Sequence, residues 1–275
     1  MKPRWRRAPK RLRLASNDVD IWRASLDVNA GSVAILKSTL AADELARADR
    51  FHFDRDRDAF IVARAFLRVI LGRYLNCHPC ELQFQYGPYG KPALAGRDAE
   101  TLSFNLSHAD GLALYAITPG RDVGIDVERI RPDMETECLA GRFFSREEFG
   151  KLRSLPRHIR RNAFFSCWSR KEAYVKARGE GLFMPLQKFE VSLAPDESPE
   201  LISVNGIRQG TSDWVLKELI PRAGFVAALA IQARECNFRF WKLPPYIALR
   251  ESFSKICETS CSFSSLTVYS QGAGL

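Results

Sequence analysis

Apolar side chains along Asp56–Tyr74 recur at helical spacing: Phe60, Ala63, Phe66, Leu67, Ile70 and Leu71 share a face, with Arg57, Arg64 and Arg68 interleaved. A second long helix is predicted over 162–178, stopped by Gly179 and Gly181. Ser145 stands three residues before Glu148 in FFSREEF, the capping-box pattern of a helix start, and 41–48 reads as a short helix with an acidic first turn. Strands are expected at 32–37 (SVAILK), 102–106, 112–117, 123–127, 189–193, 214–219 and 225–231. Residues 15–31 show little pattern, and 86–92 (YGPYGKP) is dense in turn formers.

These elements fall into two series of strand, helices and further strands, of similar length. That spacing suggests a duplicated α+β unit with a boundary near 119–121. The expected divisions are a basic leader over 1–14, an N-terminal α+β subdomain over 15–120, a C-terminal one over 121–235, and an extension over 236–275. Residues 238–243 could add an edge strand to that extension, and the serine-rich end beyond them has no periodicity.

Composition narrows the function classes. The 275 residues are 46% hydrophobic and 27% charged, ordinary for a soluble domain with a real core. The longest apolar run, 225–231, is far too short to span a membrane, and the basic start lacks the apolar core of a secretory signal, so a cytoplasmic location is expected. Of the net charge of +9, seven positive charges lie in the leader (Lys2, Arg4, Arg6, Arg7, Lys10, Arg11, Arg13), leaving about +2 for the rest. Such a leader can grip nucleic acid, but a disordered, solvated segment is the expectation, and no nucleic-acid or membrane partner is expected. Seven cysteines, an odd number, suit a reducing compartment. Cys77/Cys80 and Cys257/Cys261 are too far apart and too loosely spaced to read as one zinc site.

The chemistry concentrates in four places. In VGIDVER, Asp126 and Glu128 point to the same face of a strand and need something positive between them. Ser107 and His108 end a strand, and Lys91 and Pro92 sit in the turn-rich loop. Trp168, Glu172 and Lys176 lie at i, i+4 and i+8 along one stripe of the second long helix. Singly, each has a structural reading: an exposed strand face, a helical ion pair, a turn histidine, a loop charge. Together, Asp126, Glu128 and Glu172 are hard oxygen donors suited to Mg²⁺, and Lys91, Ser107, His108, Lys176 and the helix arginines are phosphate-seeking groups.

The ordered set GKP, FNLSH, GIDVE, FFSREE and WSRKEAYVKARGEGL resembles the 4′-phosphopantetheinyl transferases, of the long type that activates surfactin and related synthetases, from about Leu45 to about Ile231. The resemblance implies a pseudo-twofold pair of similar α+β halves with the active site in the cleft between them. It also implies that Asp126, Glu128 and Glu172 hold Mg²⁺, and that Asp126, Glu172 and Lys176 act in catalysis. Lys176, Ser107 and His108 would contact phosphates of coenzyme A. Lys91 and Pro92 would lie by the nucleotide, and Arg50 and Arg57 would meet its 3′-phosphate. The implied reaction moves phosphopantetheine from coenzyme A to a serine of an apo acyl or peptidyl carrier protein, in fatty acid, polyketide or nonribosomal peptide synthesis. Glu172 is the first candidate for general base and Glu148 the second. A monomer is expected. The rival readings are a Mg²⁺-dependent nuclease and a carrier-protein binder that has lost its chemistry.

Overall fold

Residues 18–118 and 123–232 run through one series of elements twice. The computed structural model describes residues 3–194, 197–208 and 210–245. After a two-residue strand β1 (Arg6–Arg7), the first series is β2 (Asp18–Ser25), helices α1 (Ala30–Lys37), α2 (Ala42–Ala48) and α3 (Asp54–Leu75), a hairpin of β3 (Phe84–Tyr86) and β4 (Pro92–Leu94), then β5 (Ser103–Ala109) and β6 (Leu112–Thr118). The second is β7 (Val123–Arg129), helices α4 (Thr136–Phe143), α5 (Arg146–Ser154) and α6 (Arg157–Arg178), a pair β8 (Phe189–Val191) and β9 (Leu201–Val204), then β10 (Trp214–Leu219) and β11 (Phe225–Gln232). A last strand, β12 (Asn237–Lys242), follows. Strand order repeats as well: β2-β6-β5 in the first sheet matches β7-β11-β10 in the second, with every one of these pairs antiparallel.

The alternation of β7 and β11 shows how the sheets stack. Val123, Ile125 and Val127, with Phe225, Ala227, Leu229 and Ile231, join Val19, Ile21, Leu112, Leu114 and Ala116 in the core between the two sheets. The other face of the same strands, Val226, Ala228 and Ala230, packs on α6 through Ala173, Ala177 and Phe165. A strand buried on both faces reads as a continuous apolar run, which is why 225–231 looks unbroken in sequence. On the far side of the first sheet, the Tyr115 hydroxyl donates to the Ala63 carbonyl of α3 at 3.1 Å, and the Trp22 indole donates to the Tyr74 hydroxyl at 2.9 Å.

Three expectations are corrected. Residues 32–37 form part of helix α1, because Asn29 caps the segment, its Oδ1 accepting from Ser32 N at 2.9 Å, and a six-residue apolar run does not distinguish strand from helix. The leader is not detached: β1 pairs in parallel with Trp241–Lys242, Trp5 meets Phe240 edge-on at 5.5 Å, and Leu12 is buried. Its apolar side chains anchor it. The start of the extension, in turn, is not at an edge; β12 lies between β1 and β2, parallel to both. Residues 246–275, with Cys257 and Cys261, lie outside the described residues.

Candidate functional site

The site begins with a glycine. Gly124 lies on the α6 face of β7, and a Cβ there would come within 2.1 Å of the Ala173 carbonyl oxygen and 2.3 Å of Ala177 N. Only glycine lets the helix backbone lie directly on the strand. That close approach brings the stripe of α6 over the next two residues on the same face, Asp126 and Glu128. Lys176 Nζ reaches Asp126 Oδ1 at 2.6 Å and Ser107 Oγ at 3.1 Å. The positive group between the carboxylates is, in this structure, an ammonium. Trp168, first in the stripe, packs on Phe143 and Phe164 in the helical core.

The two sheets meet here edge to edge. Strands β5 and β7 are edges of their sheets, and side chains of β5 occupy the amides that β7 leaves unpaired. Asn105 Oδ1 accepts from Ile125 N at 2.8 Å, and Ser107 Oγ accepts from Val127 N at 3.4 Å while donating to Asp126 Oδ1 at 3.1 Å. Asn105 was not singled out in the sequence. Its signal is the i, i+2 spacing to Ser107, which puts both on one face of β5.

Electrostatically the cluster is unfinished. Among the described residues, Asp126 Oδ2 is buried with no hydrogen-bond partner. Burial, reinforced by the Asp126 charge, pushes the Glu128 carboxyl up to about 7, with Lys176, Arg131 and Trp168 pulling the other way. Burial also raises Glu172, against the pull of Lys176. For Lys176, burial alone would weaken the ammonium's hold on its proton, but Asp126, Glu172 and Glu128 outweigh it and the group is raised. His108 is lowered by burial and by Lys176, so it is a neutral imidazole at neutral pH.

A cavity of about 440 Å³ opens at this seam, walled by Arg47, Phe60, Tyr89, Pro92, Ser107, His108 and Lys176 among others. This size is ordinary for a small-molecule pocket. Lys91 and Arg64 also line it. The Lys91 ammonium, however, donates to the Ala177 and Val123 carbonyls at 2.7 and 3.2 Å. Arg64 binds buried Glu44 at 2.7 Å and the Tyr86 hydroxyl at 3.1 Å, and Arg68 binds Glu44 at 2.6 Å. Those two helix arginines serve the fold. Arg57 is held by Asp54 and Asp58, and neither it nor Arg50 lines the cavity; Arg47, one helical turn before Arg50, does. Glu148 is remote in role: its carboxylate pairs with Lys171 at 2.8 Å and accepts from Ser145 N and Val191 N, both at 2.8 Å. It is a buried cap and not a base for transfer.

Asp126, Glu128 and Glu172 do not line the cavity, but Lys176 and Ser107, which bind Asp126, do, and a basic cavity beside carboxylates suits a protein that handles a phosphorylated ligand together with a cation. Comparison with known proteins gives the class. Residues 122–230 match the 4′-phosphopantetheinyl transferase superfamily, and residues 27–119 match the N-terminal region of 4′-phosphopantetheinyl transferases. The two matches lie on either side of the β6–β7 turn. The chain is 42% identical over 238 residues to the 4′-phosphopantetheinyl transferase HetI of Nostoc sp., covering 86% of this chain and 97% of that one. It is 28% identical to the 4′-phosphopantetheinyl transferase Sfp of Bacillus subtilis over 159 residues, 58% of this chain and 69% of Sfp. The solved holo-[acyl-carrier-protein] synthase of Thermotoga maritima aligns with a TM-score of 0.34 at 24% identity, over 42% of this chain and 64% of that one. The chain belongs to the 4′-phosphopantetheinyl transferase superfamily and is a transferase of that kind.

Proposed function

We propose that the seam between the halves binds coenzyme A and transfers its 4′-phosphopantetheine group to a serine hydroxyl of an apo acyl or peptidyl carrier protein, releasing adenosine 3′,5′-bisphosphate. The observation that carries this is Lys176, which lines a cavity walled by Arg47 and His108 and whose ammonium holds Asp126 beside Glu128 and Glu172.

Among the described residues, no group of three His, Cys, Asp or Glu side chains is drawn closely enough together to hold a metal as it stands. The donor chemistry nevertheless fits one. Asp126 Oδ2 is buried without a partner among the described residues, and burial holds Glu128 and Glu172 above their ordinary range, which an added cation would reverse. Asp126, Glu128 and Glu172 would be its ligands, and Mg²⁺ would supply charge neutralisation at the pyrophosphate.

The chain's own groups do the rest. Lys176 stays protonated and places its charge where the transferring phosphate becomes more negative. Ser107 orients that ammonium and Asp126 together. His108, neutral and on the cavity wall, donates or accepts one hydrogen bond to a phosphate oxygen or its proton. Arg47 supplies the cationic wall for the nucleotide phosphate. Glu172, one turn before Lys176 on the same stripe of α6, is the first candidate to accept the proton of the attacking serine, because Glu148 is committed to Lys171 and two backbone amides.

Intact mass spectrometry of apo carrier proteins incubated with the enzyme and coenzyme A tests the reading. A gain of one phosphopantetheinyl group, abolished by EDTA and much reduced in Glu172→Gln, is the expected result. No gain on fatty-acid, polyketide or peptide carriers alike would refute it.

A further inference from the structure

The resemblance casts the lysine of the GKP turn as a contact to the nucleotide, but Lys91 does something else here. Its Nζ lies 2.7 Å from the Ala177 carbonyl oxygen and 3.2 Å from that of Val123. Ala177 belongs to the last turn of α6, where carbonyls lack partners within the helix, and a cation beside them is favoured by the helix dipole. Val123 is the first residue of β7. One side chain from the β3–β4 turn of the first half therefore ties together the end of the catalytic helix and the start of the strand that bears Asp126 and Glu128. Its stem is fitted as closely as its head. Gly179, the left-handed residue that ends α6 with φ of 70°, lies against it, and a Cβ there would come within 3.2 Å of Lys91 Cδ.

We infer that Lys91 is a positioning residue, fastening the last turn of α6 to β7 and thereby setting Lys176 on Asp126, instead of binding a phosphate. Lys176 is the residue before Ala177, so loosening that carbonyl loosens the backbone that carries the ammonium to Asp126 2.6 Å away. The inference rests on the transferase reading for its effect on rate, but not for its effect on the helix.

The test is Lys91→Met, which keeps the stem and removes the donors. Three quantities are measured: the transfer rate at saturating coenzyme A, the Kd for coenzyme A, and hydrogen exchange of amides 176–181 in the ligand-free protein. The expected result is at least a tenfold loss of saturating rate, a Kd within threefold of the parent, and faster exchange at 176–181. A Kd raised tenfold or more with unchanged exchange and rate would overturn the inference in favour of a phosphate contact. Unchanged values throughout would overturn it too. If Lys91→Met does not fold, Lys91→Gln, with a shorter donor, is expected to show the same pattern at smaller amplitude. Failure of the parent enzyme to modify any carrier would sink the transferase reading, and the exchange measurement would still decide the role of Lys91.

Discussion

Each half of the molecule opens with a strand that sets two carboxylates on one face, and the two pairs are treated differently. In β2, Asp18 and Asp20 face Arg239 of β12, which binds Asp18 Oδ2 at 2.8 Å and Asp20 Oδ1 and Oδ2 at 2.6 and 2.9 Å. Tyr74 closes the remaining side of Asp20 by donating its hydroxyl. In β7, Asp126 has Lys176 and Ser107 on one oxygen and, among the described residues, nothing on the other, and burial raises Glu128 against the weaker pull of Lys176, Arg131 and Trp168. A fork-shaped guanidinium satisfies a pair of carboxylates, whereas a point-charge ammonium satisfies one oxygen and leaves room. The first pair has become a structural clasp for the C-terminal strand, and the second has kept capacity for a ligand.

Substituting the two pairs in parallel should break that contrast most visibly. Asp126→Asn is expected to lower the single-turnover transfer rate by about 1,000-fold or more while changing the urea midpoint little, because Glu172 and Glu128 still act on the Lys176 ammonium and one like charge beside Glu128 is gone. Asp20→Asn should do the opposite. Leaving Arg239 with a neutral partner costs about 2–3 kcal/mol of stability by urea titration, with the rate per folded molecule within about twofold. Similar rate losses in both would mean that the clasp also serves the site.

Next in size is the approach of α6 to β7. Gly124→Ala places a methyl group against backbone atoms of Ala173, Lys176 and Ala177 in α6, where nothing flexible can yield. A loss of about 3 kcal/mol or more is expected from urea or thermal unfolding. An alanine variant as stable as the parent would show that α6 can lift from the strand cheaply. The first half offers a smaller test. Arg47→Ala should raise KM for coenzyme A by about tenfold, since one charge-assisted contact is worth about 1.4 kcal/mol or more. Arg57→Ala, whose charge is already shared by Asp54 and Asp58, should stay within about twofold. Equal effects would return Arg57 to the site.

What was legible in the sequence divides along the same physical line. Helices α3 and α6 were visible because burial of one face imposes a local period, and the capping box of α5 because Ser145 and Glu148 bond within four residues. The alternation of β7 placed Asp126 and Glu128 on one face, and the stripe of α6 placed Glu172 and Lys176 together. What joins those elements is non-local and left no periodic trace: β12 inserted between β1 and β2, Asn105 on the amide of Ile125, Lys91 on Ala177. Like charges signalled that a cation was needed, but the pattern did not say that Lys176 supplies the first one. Arg47 lines the cavity and Arg50 does not, and only about one turn separates them, a difference that composition does not register.

The smallest expected effect sharpens the comparison most directly, because it reads the unfinished charge itself. Glu128 is held at about 7 in the folded protein against an ordinary value of 4.5, so its ionised form is destabilising once folded. The cost is absent below about pH 4.5, grows as the pH rises through 7, and is complete above it. A shift of that size corresponds to roughly 3 kcal/mol, and partial exposure to solvent reduces it to about 1 kcal/mol. Glu128→Gln should therefore melt about 3 °C above the parent at pH 8 without metal, and at the parent's temperature at pH 5. Adding Mg²⁺ at pH 8 should raise the parent's melting temperature more than the variant's, because the ion relieves in the parent a repulsion the variant no longer has. If the two proteins melt together at pH 8, the β7 pair is as well satisfied as the β2 pair, and the distinction between clasp and site fails.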